Sequence, residues 1–226
     1  MIWKEKLMAH VKPESLGIEM GPGRAALPEP GKNYDWIAAI RVVEYAPDLV
    51  GFLNGCAASL REGGLLYVVV SDRRYTGDHF RPLAGIGEVI DASRRRDAEL
   101  SVGARVEALL SDVTKGGFAT WQAGAPGGYA ARFDFARAQE ALAQPKDDSS
   151  VRRWCFTPIS FLVLVSDLFG LGLTRFKIAG FYPTGGNDFH VALGLNHGKL
   201  IDGPERLKAL LEVSKEQVQG DMPDFL

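Results

Sequence analysis

The stretch that decides the fold is residues 17–48, GIEMGPGRAALPEPGKNYDWIAAIRVVEYAPD. A short apolar strand runs into Gly-Pro-Gly, a turn that can present backbone N–H groups to a carboxylate or phosphate. Only about ten residues later YDWIAAIRVV reads as a second strand. A parallel pair needs a crossover of about a dozen residues or more. The segment from Gly21 to Asn33 just meets that length, without a proper helix, so the two strands can be neighbours. The strand SLGIEM then lies at the edge of the sheet, with unpaired backbone groups on its outer side. A terminal helix, a second subunit or the short loop can cover that edge. A homodimer is expected, because closed two-fold pairs are the commonest oligomer, and the C-terminal amphipathic helix is an equally available cover.

Working outward, PDLVGFLNGCAASLREGG reads as a helix with Pro47 in its first turn and Gly63 at its end. LLYVVVS is apolar throughout, as strands buried on both faces are. Residues 72–150 form an inserted, mostly helical region rich in arginine, glycine and small residues, closed by the polar linker QPKDDSS. FTPISFLVLVSDLFGLGL follows as a helix capped at Thr157 and Pro158, apolar nearly all round. TRFKIAGFYP and DFHVALGL form an antiparallel pair about Gly185 and Gly186. An amphipathic helix over residues 203–220 ends the order. The chain is read as one α/β domain of 226 residues.

Composition excludes several classes. The chain is 46% hydrophobic and 24% charged with net charge −2, so no basic field collects nucleic acid or acidic membrane. Cys56 and Cys155 read as buried thiols. His10, His79, His190 and His197 are scattered, and no metal-ligand spacing occurs. The apolar run from Ile159 is too short and interrupted to span a bilayer. The N-terminus lacks the apolar core of a signal peptide, and a cytoplasmic location is expected.

The segments taken together resemble the class I S-adenosylmethionine-dependent methyltransferases. Glu19, Gly21 and Gly23 fill an ExGxG pattern similar to that superfamily's motif I, with Ala25 where a third glycine is common. SDRRYTGDHFRPL resembles the PDKRYTFDxxRPL segment of a bacterial branch often met beside glycan and polysaccharide genes. Asp72, Arg74, Tyr75, Thr76, Asp78, Arg81, Pro82 and Leu83 match it. RRWCFTPISF is similar to the branch's WxFTPxSF helix, through Trp154, Phe156, Thr157, Pro158, Ser160 and Phe161. The resemblance implies a Rossmann-like methyltransferase sheet. Here it is truncated to about five strands, ends in an antiparallel pair and carries a helical insertion.

The departures from that family bear on chemistry. Members carry some sixty residues between motif I and the next matching strand. That stretch supplies two more strands and the acid that grips the cofactor ribose, whereas RAALPEPGKN is all that stands here. Arg41 and Tyr45 replace usual histidines around a retained Glu44, and Ser150 and Arg152 replace a DVH. Arginine stays protonated at any working pH and cannot shuttle protons. Two readings follow. One is a divergent methyltransferase-like pseudoenzyme with a degraded S-adenosylmethionine site, a binding or assembly protein or a repurposed enzyme, in glycan biosynthesis if the branch is a guide. The other is an active O-methyltransferase whose cofactor site a dimer partner completes. Glu19, Gly21, Gly23 and Arg41 are the candidate cofactor-binding residues. Glu44, Tyr45, Asp72 and Tyr75 follow the carboxyl ends of two central strands, where open α/β sheets bind ligands, and are the catalytic candidates. Arg74, Arg81 and Arg152 are the candidates for holding a small anionic or sugar substrate. The same polar groups also read as a satisfied surface network.

Overall fold

The computed structural model describes residues 2–21, 27–143 and 151–218. Its strands in chain order are β1 (Gly17–Met20), β2 (Tyr34–Ile40), β3 (Leu60–Ser71), β4 (Val113–Lys115), β5 (Tyr129–Ala131), β6 (Phe176–Gly185) and β7 (Asp188–Leu195). Five of them form one sheet in the order β1-β2-β3-β7-β6. β1, β2 and β3 are mutually parallel, and β7 runs antiparallel to both β3 and β6. The mixed α/β, Rossmann-like sheet expected from the sequence is therefore present, five strands wide.

β1 and β2 pair directly, Gly17 opposite Trp36 and Met20 opposite Ala39. The Trp36 ring lies so close over Gly17 that a Cβ there would sit 1.9 Å from an indole atom. At the far edge β6 turns into β7 through Gly186 and Asn187. Gly186 has φ +72°, the geometry of a II′ hairpin turn with glycine first.

β3 explains the layering. Leu66, Val68 and Val70 point into the main core, where they meet α2 (Leu49–Ser59), α3 (Ile86–Arg95) and α6 (Pro158–Gly170). Leu65, Tyr67 and Val69 point the other way, onto Leu7 of the short helix α1 (Ile2–Met8). Each of these side chains is at most 4% exposed, which is why the strand must be apolar without alternation. Burying one such side chain stabilises the fold by about 1.5–3 kcal/mol.

Two boundaries differ from the sequence expectation. Pro47 lies outside α2, and Asp48 is its N-cap, accepting the Gly51 N–H at 2.8 Å. The helix ends at Ser59 rather than running to Gly63. Leu60 turns extended and buries itself, and Gly63 (φ +73°) sits in the excursion that shifts the β2–β3 register.

Between β3 and α6 the described residues hold α3, α4 (Val102–Ser111), α5 (Phe135–Ala143) and the small antiparallel sheet of β4 and β5. That sheet was not anticipated. Its approach depends on glycine, because a Cβ on Gly127 would lie 2.6 Å from the Gly116 Cα. The last helix, α7 (Gly203–Val218), packs on α6, and Arg206 forks onto Asp167 at 2.7 and 2.9 Å. Among the described residues no helix is long and apolar enough to cross a membrane, and no group of acidic, histidine and cysteine side chains is placed to hold a metal ion.

Candidate functional site

The carboxyl ends of β2 and β3 gather most of the polar residues singled out in the sequence. Immediately after β2 the backbone turns at Arg41, a non-glycine residue with φ +53°. Its N–H still extends the ladder to Val69 O at 2.8 Å. The turn sends Val42 and Val43 into the core and starts a 3-10 turn over Val43–Tyr45. Glu44 is thereby carried inward, 1% exposed. One carboxylate oxygen accepts the Ser71 N–H at 2.8 Å, tying the ends of β2 and β3 together. The other has no hydrogen-bond partner among the described residues. Burial pushes this carboxyl up from its ordinary value, against the opposing pull of the Ser71 N–H and the nearby Arg152.

Asp72, the first residue after β3, is fully buried. It accepts the Arg74 backbone N–H at 3.1 Å and caps a second 3-10 turn, Arg73–Tyr75. The Arg74 guanidinium forks onto the same carboxylate at 3.0 and 2.6 Å, and Thr184 of β6 donates its hydroxyl at 2.6 Å. Arg41 forms a matching fork with Asp188, at 3.1 and 2.5 Å, at the start of β7. Asp78 serves two arginines, Arg81 at 2.9 Å and Arg152 at 2.6 Å. Arg81, 3% exposed, also donates to the carbonyls of Arg152 and Arg153 at 2.8 and 3.1 Å. It clamps the 78–81 turn to the chain entering α6.

Tyr45 is half-buried beneath the Arg152 guanidinium, 5.8 Å from its ring, and burial raises its phenol. Tyr75 lies under Arg74 at 5.5 Å, and its carbonyl accepts the Trp121 N–H. Arg41, Glu44, Tyr45, Asp72, Arg74, Tyr75, Arg81 and Arg152 thus belong to one neighbourhood. In it Asp72, Asp78 and Asp188 are each held by guanidinium groups.

Glu19 and Gly21 stand apart, on the outermost strand. The Glu19 side chain is 47% exposed and its one ion pair among the described residues is with Lys4 at 3.6 Å. Gly21 has open space around it, since a Cβ there would meet nothing within 4 Å. Gly23 and Ser150 lie outside the described residues. No strand pairs with the outer edge of β1 among the described residues.

Sequence reasoning passed over Asp188 and Thr184, which complete the arginine and aspartate sites. Both flank a hairpin turn whose spatial position only the sheet order reveals. It also passed over a cavity of about 240 Å³ beside Tyr45 and Arg152, walled by Asp78, Asp112, Arg132 and Phe133.

No protein-family model matches the chain. Over 65 residues it is 35% identical to the ubiquinone biosynthesis O-methyltransferase of Parvibaculum lavamentivorans (strain DS-1), a stretch that makes up 28% of this chain and 26% of that protein. The chain thus matches about a quarter of that curated relative's length. Set beside the Rossmann-like sheet, this short likeness supports a methyltransferase-like relationship.

Proposed function

We propose that the protein is a divergent methyltransferase-like domain that does not hold S-adenosylmethionine in the ordinary pose, and that its carboxyl-edge cleft serves binding or assembly, or a different reaction. The observation that carries this reading is the position of Glu19. It stands on the outermost strand, half-exposed, answered by Lys4 at 3.6 Å, with no strand beyond it among the described residues. A nucleoside seated over β1 needs a carboxylate for its sugar hydroxyls and a wall for its base. Beside β1 the Asp35 carboxylate is already occupied by the Leu16 N–H at 2.6 Å and by Arg61. Losing three or four hydrogen bonds of roughly 1 kcal/mol each weakens binding by a factor of hundreds or more.

The catalytic candidates support the same reading. Asp72 has its oxygens filled by Arg74 and Thr184 and is sealed from solvent. A base must reach the proton that it removes. Glu44 keeps a free oxygen but is itself buried. The exposed Glu19 and the occupied carboxylates at the strand ends support a reading in which the cofactor's ordinary pose is lost. A sugar-bearing ligand, and with it a place in glycan biosynthesis, enters only through the family resemblance.

Calorimetry with S-adenosylmethionine and S-adenosylhomocysteine is the test. Silence at millimolar ligand is expected, and micromolar binding would overturn the reading. One observation favours the alternative, an active O-methyltransferase completed by a second subunit: the outer edge of β1 is unpaired among the described residues. In that case sizing gives a dimer and the dimer binds the cofactor; a monomer at micromolar concentration removes it.

A further inference from the structure

The cavity beside Tyr45 lies between the carboxyl edge of the sheet and the segment inserted after β3. At about 240 Å³ it holds the volume of about eight water molecules at ~30 Å³ each. Pockets for drug-sized ligands start near 300 Å³, so a ligand of about ten non-hydrogen atoms is the size that fits. Leu109 of α4 and Phe133 give it apolar walls, and Asp78, Asp112, Arg132, Arg137 and Arg152 give it charge.

Among the described residues the charges do not balance. Asp78 is shared between Arg81 and Arg152, while Asp112 meets Arg132 through one long contact of 3.3 Å. Counting Glu140, which meets the lining residue Arg137 at 3.1 Å, three carboxylates face the guanidinium groups of Arg81, Arg132, Arg137 and Arg152 among the described residues. Glu44, beside Tyr45, accepts the Ser71 N–H. The second Asp112 oxygen is turned away, buried against Gly77, where a Cβ would lie 2.2 Å from it. Burial also pushes the Asp112 carboxyl up, toward its neutral form. The Arg132 side chain is 48% exposed, and its backbone N–H is fixed to the Asp112 carbonyl at 2.9 Å. Apart from the 3.3 Å contact, its guanidinium N–H groups have no hydrogen-bond partner among the described residues.

We infer that this cavity binds a compact organic oxyanion, with the anionic head forked on Arg132 and the apolar body against Leu109 and Phe133. Guanidinium matches carboxylate and phosphate alike through paired N–H donors, and Arg152 with the Tyr45 phenol lines the same space. This deepens the proposed reading of the cleft and rests on it, since it supplies the ligand class for a site that S-adenosylmethionine does not fill.

The test is an NMR titration of the full chain with benzoate, with phenyl phosphate and with benzamide as the neutral isostere. At least one anion should bind saturably with a millimolar or lower dissociation constant, and benzamide at least about tenfold more weakly. The tighter anion says whether a carboxylate or a phosphate ester is the better head. Arg132→Gln should lose about tenfold in affinity for that anion, and Arg132→Lys, which keeps the charge without the fork, should lose less. No saturable shift with either anion, equal affinity for benzamide, or unchanged affinity in Arg132→Gln would each overturn the inference. Silence with both anions leaves the proposed function standing. Micromolar S-adenosylmethionine binding sinks that function, whatever the anions do.

Discussion

Asp72→Ala separates a structural network from a catalytic centre. Asp72 is fully buried and anchors the Arg74 fork, the Thr184 hydroxyl and the cap of the 73–75 turn. Breaking one side of a buried ion pair costs about 3–5 kcal/mol. The lost hydroxyl bond and the lost cap add about 1 kcal/mol each. These contributions overlap, and Arg74, with its side chain 14% exposed, keeps Glu216 of α7 at 3.5 Å as a second carboxylate. A net loss of about 4 kcal/mol is expected, a large part of the ~5–15 kcal/mol that holds a typical domain together. Urea unfolding followed by circular dichroism measures it, read as a fall in midpoint at constant slope. Asp72→Leu combined with Arg74→Met should recover most of the loss, because an apolar pair of similar volume replaces both charges. A loss below about 1 kcal/mol for Asp72→Ala would refute the reasoning and free Asp72 for chemistry.

Three further outcomes are expected. Burial lifts the Glu44 carboxyl above its ordinary 4.5, so its contribution is full below that pH and is lost as pH rises through the folded value. Glu44→Gln should gain stability on the wild type between about pH 4 and 8, and parallel urea midpoints across that range would contradict this. His190, buried with its Nδ1 3.0 Å from the Tyr67 hydroxyl, is pushed down to about 4, so its contribution is present above pH 6.5 and is lost as pH falls toward 4. NMR should find its imidazole neutral at about pH 5.5, and a midpoint near the ordinary value would count against the burial argument. Arg41→Gly and Arg41→Ala both lose the fork to Asp188, but the φ of +53° should leave the glycine variant about 1 kcal/mol the more stable in thermal unfolding.

The sheet was legible because its signals are local. LLYVVVS can only be a doubly buried strand, and the short Gly21-to-Asn33 crossover left no room for a strand between β1 and β2. The pair β4 and β5 was not legible. Three-residue strands carry no periodicity, and the Gly116–Gly127 approach that permits them spans distant parts of the sequence. At the candidate site, residue types following strand ends pointed to Glu44, Tyr45 and Asp72. Their partners were hidden, because Asp188 and Thr184 reach the site through the order in which β7 and β6 join the sheet. Arg81 shows how residue type misleads: an arginine suited to anions spends its donors on Asp78 and two backbone carbonyls.

The four-residue β1 hangs from the sheet by one ladder, while β3 is paired along both sides. Ile18 and Met20 are only partly buried, whereas the β3 side chains on the same face of the sheet are sealed. Within the five-stranded sheet the strand that detaches at least cost is therefore the one carrying Glu19, and its amides should exchange with deuterium well before those of β3. Any clasp resting on that carboxylate would be mounted on the least anchored strand of that sheet.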